Sequence, residues 1–451
     1  MDKVASSPGP RRTSGTGPGR RARLRRAADA SAAFLLLASP AAALAKDEAS
    51  SAAQSAGPVR AGPVLTLQEA IGGAAGDQPG IAAFEREAQA SEQAAVAART
   101  LPDLQLMVGI QNFPITGENA FSPTDDFMTM YMIGIMREQV RRSKREAEAQ
   151  RILAEALVSR RQASAQERRI RREVMIAWID AVEARAKQRL LEQLIADLRT
   201  GRAAIEAGIP TGGSTPALAL EAEAEIGLAG ARLAEAKRGE ARARAELARW
   251  IGPAASLPVP DSIPDIEPPA AVGTPLAVHP ELLVAQAEQE AARRGIEVAR
   301  QERKPDFNWQ VSLGLRPEFG HMLSAQVSIP LQLNRRNRQD RLIAEAQARA
   351  DAAGLRLEDR RRDLQRQYAV AAADYQGAEA ELARIDREAI PSLEGAFKAA
   401  EARYSAGGGT LEQPLAIVRR YLEVTLQSIE TRAKRARAAA EMIYLIGEGG
   451  R

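Results

Sequence analysis

The chain states one pattern twice, about two hundred residues apart, and each statement passes from helical patterning through two short alternating segments into a long helix. The first copy carries Asp77-Gln78-Pro79, Leu101-Pro102-Asp103, the basic cluster Arg141-Arg142-Ser143-Lys144-Arg145 and a closing Trp250-Ile251-Gly252. The second carries Val278-His279-Pro280, Lys304-Pro305-Asp306, Arg335-Arg336-Asn337-Arg338 and Leu445-Ile446-Gly447. Matching positions lie 203 residues apart before the loop between the alternating segments, and 194 or 195 after it. Landmarks kept in order at a nearly constant offset mark an internal duplication, which divides the chain into copies 64–252 and 276–447.

Within each copy the helical stretches are rich in Ala, Glu, Arg, Gln and Leu, and only 4% of the chain is aromatic, a composition of long packed helices. Leu364, Tyr368, Ala371, Tyr375, Ala378, Leu382, Ile385 and Ala389 form a seam in alternating steps of four and three. Ile170, Val174, Ala177, Ala181, Ala184, Leu191, Ile195 and Leu198 do the same in the first copy. Such seams predict helices in coiled-coil contact, and a helix from about residue 137 to 202 would be roughly 100 Å long. Turn residues at Gly208 to Pro216 and at Gly407-Gly408-Gly409 predict helical hairpins with Gly-rich tips. Between the copies, residues 253–275 hold Pro258, Pro260, Pro264, Pro268 and Pro269 and predict an extended linker.

Several function classes are disfavoured. The net charge is +4, and the arginines alternate with Glu and Gln along helix faces, so no nucleic-acid footprint is expected. With no cysteine and two histidines, the chain has no thiolate chemistry and little for catalysis; no constellation of nucleophile, base and orienter is visible, and neither an enzyme nor a bound cofactor is expected. At the N-terminus, Arg20 to Arg26, the apolar run around Phe34 and Ala43-Leu44-Ala45 follow the order of a secretory signal, predicting residues 1–45 as a signal peptide and 46–63 as a flexible segment. A disordered basic tail is the competing reading. No later stretch is apolar enough for a membrane helix.

The alternating segments predict strands at about 104–111, 128–136, 308–315 and 322–330. Strict alternation means two faces in different environments. Four strands leave open edges, which self-association would remove.

The duplicated entry before Pro, the Pro-Asp ahead of each strand pair, the exit Ser328-Ile329-Pro330-Leu331 with Asn334-Arg335-Arg336-Asn337-Arg338, the Tyr404 to Leu415 tip and the closing Ile-Gly together resemble the TolC-like outer membrane efflux protein family. The resemblance implies a mostly α fold with a small β part: a homotrimer whose 12-stranded outer membrane β-barrel continues into an α-helical periplasmic tunnel. It also implies a passive exit duct served by a periplasmic adaptor and an inner-membrane pump. Residues 107–114 and 127–132 look like the heavy-metal efflux branch, with copper, silver, cobalt or zinc as cargo. There is no cysteine after the signal, so no lipid anchor is expected, and Met136 to Val140 lacks the Pro-Gly turn common in that branch.

Superposing the copies on such a barrel sets Leu106, Val108, Ile110, Tyr131, Ile133, Ile135, Trp309, Val311, Leu313, Ala325, Val327 and Ile329 toward lipid. Met107, Met128, Met130, Met132, Met136 and Met322 then fall on the lumen face, where thioethers are candidate soft ligands for Cu(I) or Ag(I); flexible filler of a barrel wall is the plainer role. Gly208, Ser214, Gly407, Thr410 and Glu412 are candidate gate and docking residues of the tips. Glu412 fits either a cation-favouring ring of three symmetry copies or an ordinary helix N-terminal acid. Ducts for organic toxicants or for exported polypeptides share the fold, and a channel-free coiled-coil scaffold needs no strands.

Overall fold

The structure, a computed structural model, describes residues 64–74, 76, 78–211, 214–269, 275–405 and 412–446, so the expected signal and flexible segments lie outside the described residues. The first copy supplies α1 (Leu67–Ala74), α2 (Pro79–Arg99), β1 (Gln105–Gln111), β2 (Met130–Gln139), α3 (Arg142–Gly208) and α4 (Pro216–Ile251). The second supplies α5 (Pro280–Gln301), β3 (Phe307–Leu315), β4 (Met322–Ser328), α6 (Gln339–Arg384), α7 (Ile390–Ser405) and α8 (Glu412–Ile446). None of these helices is long and apolar enough to cross a membrane.

α3 has 67 residues, roughly 100 Å at the standard rise. Its buried stripe includes Ile170, Ala177 and Ala184, and the residues 194 positions later, Leu364, Ala371 and Ala378, are the buried stripe of α6. Small seam residues let α3 pack closely against α2, α4, α5 and α8. The second seam does not run straight to Ala389 as expected. Residues Ile385–Ala389 form a π turn between α6 and α7, and Ala389 leaves the buried stripe. Pro391 explains the break: its ring clashes with the carbonyl four residues back, that of Arg387, and it has no N–H to donate. An inserted π turn absorbs both defects. The matching position in α3 is Asp197, and that helix continues unbroken.

The main core surrounds the middle of α3. Ile170, Val174, Trp178 and Val182 meet α1, Leu247 of α4 and the alanines Ala433, Ala436 and Ala440 of α8. Trp178 is fully buried and its indole N–H donates to the Leu65 carbonyl at 2.9 Å. Residues 253–269 of the inter-copy segment pack as a strap against this core. Val259 and Ile266 are buried in the same core, Leu65 N–H donates to the Pro258 carbonyl, and Arg244 donates to the carbonyls of Ala255 and Leu257 at 2.8 and 2.7 Å.

The entry and closing landmarks of each copy touch. Gln78, just ahead of Pro79, donates its side-chain amide to the Trp250 carbonyl at 2.9 Å. His279, just ahead of Pro280, lies edge-on to Tyr444 with ring centroids 5.1 Å apart. Pro at the first helical position suits both starts, because that N–H has no intrahelical partner.

The four strands form one antiparallel sheet in the order β1-β2-β3-β4. Several boundaries differ from expectation. β1 begins at Gln105, leaving Leu104 outside. Met128 lies in the turn before β2, where Asp126 accepts from the Met128 N–H at 2.7 Å. At the far end β2 pairs with β3 as far as Gln139, whereas β4 stops at Ser328 and leaves Ile329 beyond the strand.

Candidate functional site

Directly opposed residues of an antiparallel pair share a face, so the register sorts the sheet into two surfaces. On one, Leu106, Ile135, Val311 and Ala325 form a row, next to Val108, Ile133, Leu313 and Leu323. Ile110 and Tyr131 extend this face with Leu315 at one end, and Trp309 and Val327 with Arg137 at the other. On the opposite face Gln105, Met136, Gln310 and Gln326 form a row. Met107, Gly134, Ser312 and Ser324 form the next, followed by Gly109, Met132, Gly314 and Met322. Met130 lies on this face opposite Gln111.

The exposures are inverted relative to a water-facing sheet. Val108 and Leu323 of the apolar face are 74% and 75% exposed, while Gly134, Ser312 and Gly314 of the other face are buried and Met107, Met130, Met132 and Met136 are half-buried. Alternation with the apolar set outward is the pattern of a lipid-facing strand wall.

Two glycines shape the sheltered face. A Cβ on Gly134 would stand 2.6 Å from the Ser312 Cβ and 2.7 Å from the Val311 carbonyl oxygen, so no side chain fits there. Gly314 is covered by a thioether: the Met130 Sδ is 2.7 Å from where a Cβ would be. Met132 and Met322 flank Gly314 on the adjacent strands, and Met322 is exposed. The sheet thus gathers three of the six candidate methionines around one gap. Met107 and Met136 sit on the same face in other rows, and Met128 stands apart in the turn.

Where sheet meets helices, the Pro-Asp of the second copy engages the basic cluster of the first. The Asp306 carboxylate accepts from the Arg141 backbone N–H at 2.9 Å, from the Arg141 guanidinium at 3.1 Å and from Lys144 at 3.1 Å. Lys144 also pairs with Glu302 at 2.8 Å. Burial by itself would raise the Asp306 carboxyl, but the Arg141 N–H and the Lys144 ammonium hold it below the usual Asp range. Arg145 donates to the Arg99 and Val140 carbonyls. These side chains are therefore occupied within the protein, not offered to headgroups as a basic cluster alone suggests. The partnership links residues more than 160 positions apart, and only the recurrence of Pro-Asp hinted at it.

At the first tip a 3-10 turn, Ile209–Thr211, follows Gly208, and Ser214 packs over it, its Oγ 2.9 Å from where a Gly208 Cβ would be. Thr215 caps α4 by accepting from the Leu218 N–H at 3.3 Å, a helix start that the Thr-Pro dipeptide announces. Gly407 and Thr410 lie outside the described residues, and Glu412 is described only as the first residue of α8. Among the described residues no group of three or more His, Cys, Asp or Glu is placed to hold a metal ion.

In the helical body, Glu281 gathers several partners. It accepts from the Tyr444 hydroxyl at 2.6 Å and pairs with Arg169 at 3.4 Å and with Arg360. Arg172 stacks on the Tyr444 ring at 4.8 Å. Beside them, His279 accepts from the Glu281 N–H through Nδ1 at 3.3 Å. Burial, with the Arg168 charge adding to it, lowers its pKa to about 4, so it is neutral at ordinary pH.

The described residues thus form a duplicated helix–sheet unit with an exposed apolar sheet face and one helix of roughly 100 Å. Residues 272–448 match the outer membrane efflux protein family. Among solved structures, CusC is 16% identical, with a TM-score of 0.73 over 85% of this chain and 92% of its own. A membrane protein from Pseudomonas aeruginosa is 21% identical, with a TM-score of 0.73 over 85% and 91%. The outer membrane protein VceC from Vibrio cholerae is 18% identical, with a TM-score of 0.70 over 85% and 96%. No protein of curated function matches the sequence. Residues 272–448 are thus similar to the outer membrane efflux protein family, and the described chain shares the fold of these solved outer membrane channels.

Proposed function

We propose that the chain is the outer membrane exit duct of a tripartite efflux system. Three copies join their sheets into a 12-stranded barrel, and their helices continue it into the periplasm. The observation that carries this reading is the inverted sheet, whose apolar face is exposed while the opposite face is sheltered at its centre, around Gly134, Ser312, Gly314 and the half-buried Met107, Met130, Met132 and Met136. Leu106, Val108, Ile110, Tyr131, Ile133, Ile135, Trp309, Val311, Leu313, Ala325 and Val327 then meet lipid, and the opposite face lines water. An adaptor and an inner-membrane pump supply substrate and energy, docking at the tips around Gly208, Ser214, Gly407, Thr410 and Glu412.

For cargo we favour heavy-metal cations, with Cu(I) and Ag(I) first. The support is local: Met130, Met132 and Met322 surround Gly314 on the proposed lumen face, and flexible thioethers suit soft cations. A deletion strain challenged with copper, silver, zinc, cobalt and organic toxicants tests both levels. Loss of metal tolerance, restored by the wild-type chain and not by Met130→Leu/Met132→Leu/Met322→Leu, is the expected result. Full rescue by the triple variant removes the thioether role, and sensitivity to organic compounds alone replaces metals with organics as cargo. Failure of the purified chain to conduct ions in planar bilayers overturns the duct itself.

A further inference from the structure

The clasp of Asp306 on Arg141 and Lys144 occurs once in the chain, although the sequence encodes its parts twice. Asp306 precedes β3, and Arg141 and Lys144 follow β2, the neighbouring strand. The duplicate of Asp306 is Asp103, ahead of β1, and the duplicates of Arg141 and Lys144 are Arg335 and Arg338, after β4. β1 and β4 are the two edges of the sheet and do not pair with each other. Asp103, Arg335 and Arg338 are all exposed, and none makes an ion pair among the described residues. Arg145 borders the hollow beside Asp103, but its Nε and Nη1 donate to the Val140 and Arg99 carbonyls rather than to Asp103.

We infer that the second clasp forms between copies, Asp103 of one chain accepting from Arg335 and Arg338 of the next, and that it sets the register of the seam between β4 and β1. The inference rests on the trimeric reading and specifies how its joints are made. Ile135 opposes Val311 and Arg137 opposes Trp309 within the chain. Carried across the duplication, Ile329 opposes Val108 of the next copy, Leu331 opposes Leu106 and Leu333 opposes Leu104. This accounts for two otherwise odd facts. Leu331 and Leu333 are 80% and 91% exposed although they continue the alternation of β4. β4 also stops at Ser328 while β2 continues to Gln139, the match of Leu333, because in the single chain only β2 has a partner on that side. The open edge of β4, with exposed leucines beyond its end, is a template for another strand.

The chain has no cysteine of its own, so paired cysteines report the seam directly. Opposed strand residues lie within disulfide range. In full-length protein in detergent, Leu106→Cys with Leu331→Cys is expected to give a covalent ladder up to three chains on mild oxidation, several-fold more than Leu106→Cys with Leu333→Cys. Stronger linkage at the shifted pair, or none in a sample that sediments as a trimer, overturns the register. A sample that never trimerises overturns the trimeric reading instead. Asp103→Arg is expected to lower the fraction of SDS-resistant trimer several-fold, with recovery on adding Arg335→Asp and Arg338→Asp. An unchanged trimer fraction in Asp103→Arg overturns the clasp.

Discussion

His279 shows how one side chain ties chemistry to folding. The neutral imidazole is favoured in the fold, where its pKa is about 4 against an ordinary value near 6.5. Its contribution is therefore complete above pH 6.5, is lost as the pH falls from there to about 4, and is on the order of 3 kcal/mol. Melting of the purified protein is expected to shift downward across that window, and His279→Asn, which keeps a helix-capping acceptor without the titration, should flatten the slope. An equal slope in the variant assigns it to other groups. Tyr444→Phe removes the 2.6 Å hydrogen bond to Glu281 and should cost about 1 to 2 kcal/mol in denaturant titration. The sequence marked His279 as half of a repeated entry motif, but its pairing with Tyr444 was illegible, because ring contacts across 165 positions leave no periodic trace.

Periodicity made the elements easy to read and their interruptions hard. The 194-residue repeat of buried seam positions located α3 and α6 correctly, since a stripe of small apolar residues can face only another helix. The π turn at Ile385–Ala389 escaped notice, although Pro391 is its visible cause. The segment between the copies read as an extended linker because its prolines forbid helix, but they did not reveal that Val259 and Ile266 are buried. In the sheet, superposing the copies grouped together residues that the register places on one face, while the start of β2 depended on the Asp126 turn. Gly134→Ala should force β2 away from β3, because the added carbon meets backbone atoms, and it should cut the yield of folded trimer. Gly109→Ala, with nothing within 4 Å of the added Cβ, should leave the yield unchanged. Equal yields would show that the strand contact at Gly134 relaxes freely.

At the level of the whole molecule, duplication explains why the copies need one another and further copies besides. Asp306 closes one joint inside the chain, and β1 and β4 remain edges. Asp306→Asn keeps an acceptor for the Arg141 N–H but loses both charge pairs, so it should lower the melting temperature by a few degrees, equivalent to about 1 to 3 kcal/mol. A variant that melts with the wild type would show that shape alone holds the joint. The fold class was legible because landmark order survives divergence. Cargo was not, because the proposed wall contacts around Gly314 arise from strand register rather than from a local motif.

The inverted sheet also has a bearing on biogenesis. A lone protomer that completed its strands in water would present a greasy panel with two sticky margins. The helices, whose seams are buried within one chain, face no such hazard. On the proposed duct reading the expected order of events is helical body first, strands last and in company, with the bilayer as the surface on which the panel becomes an asset.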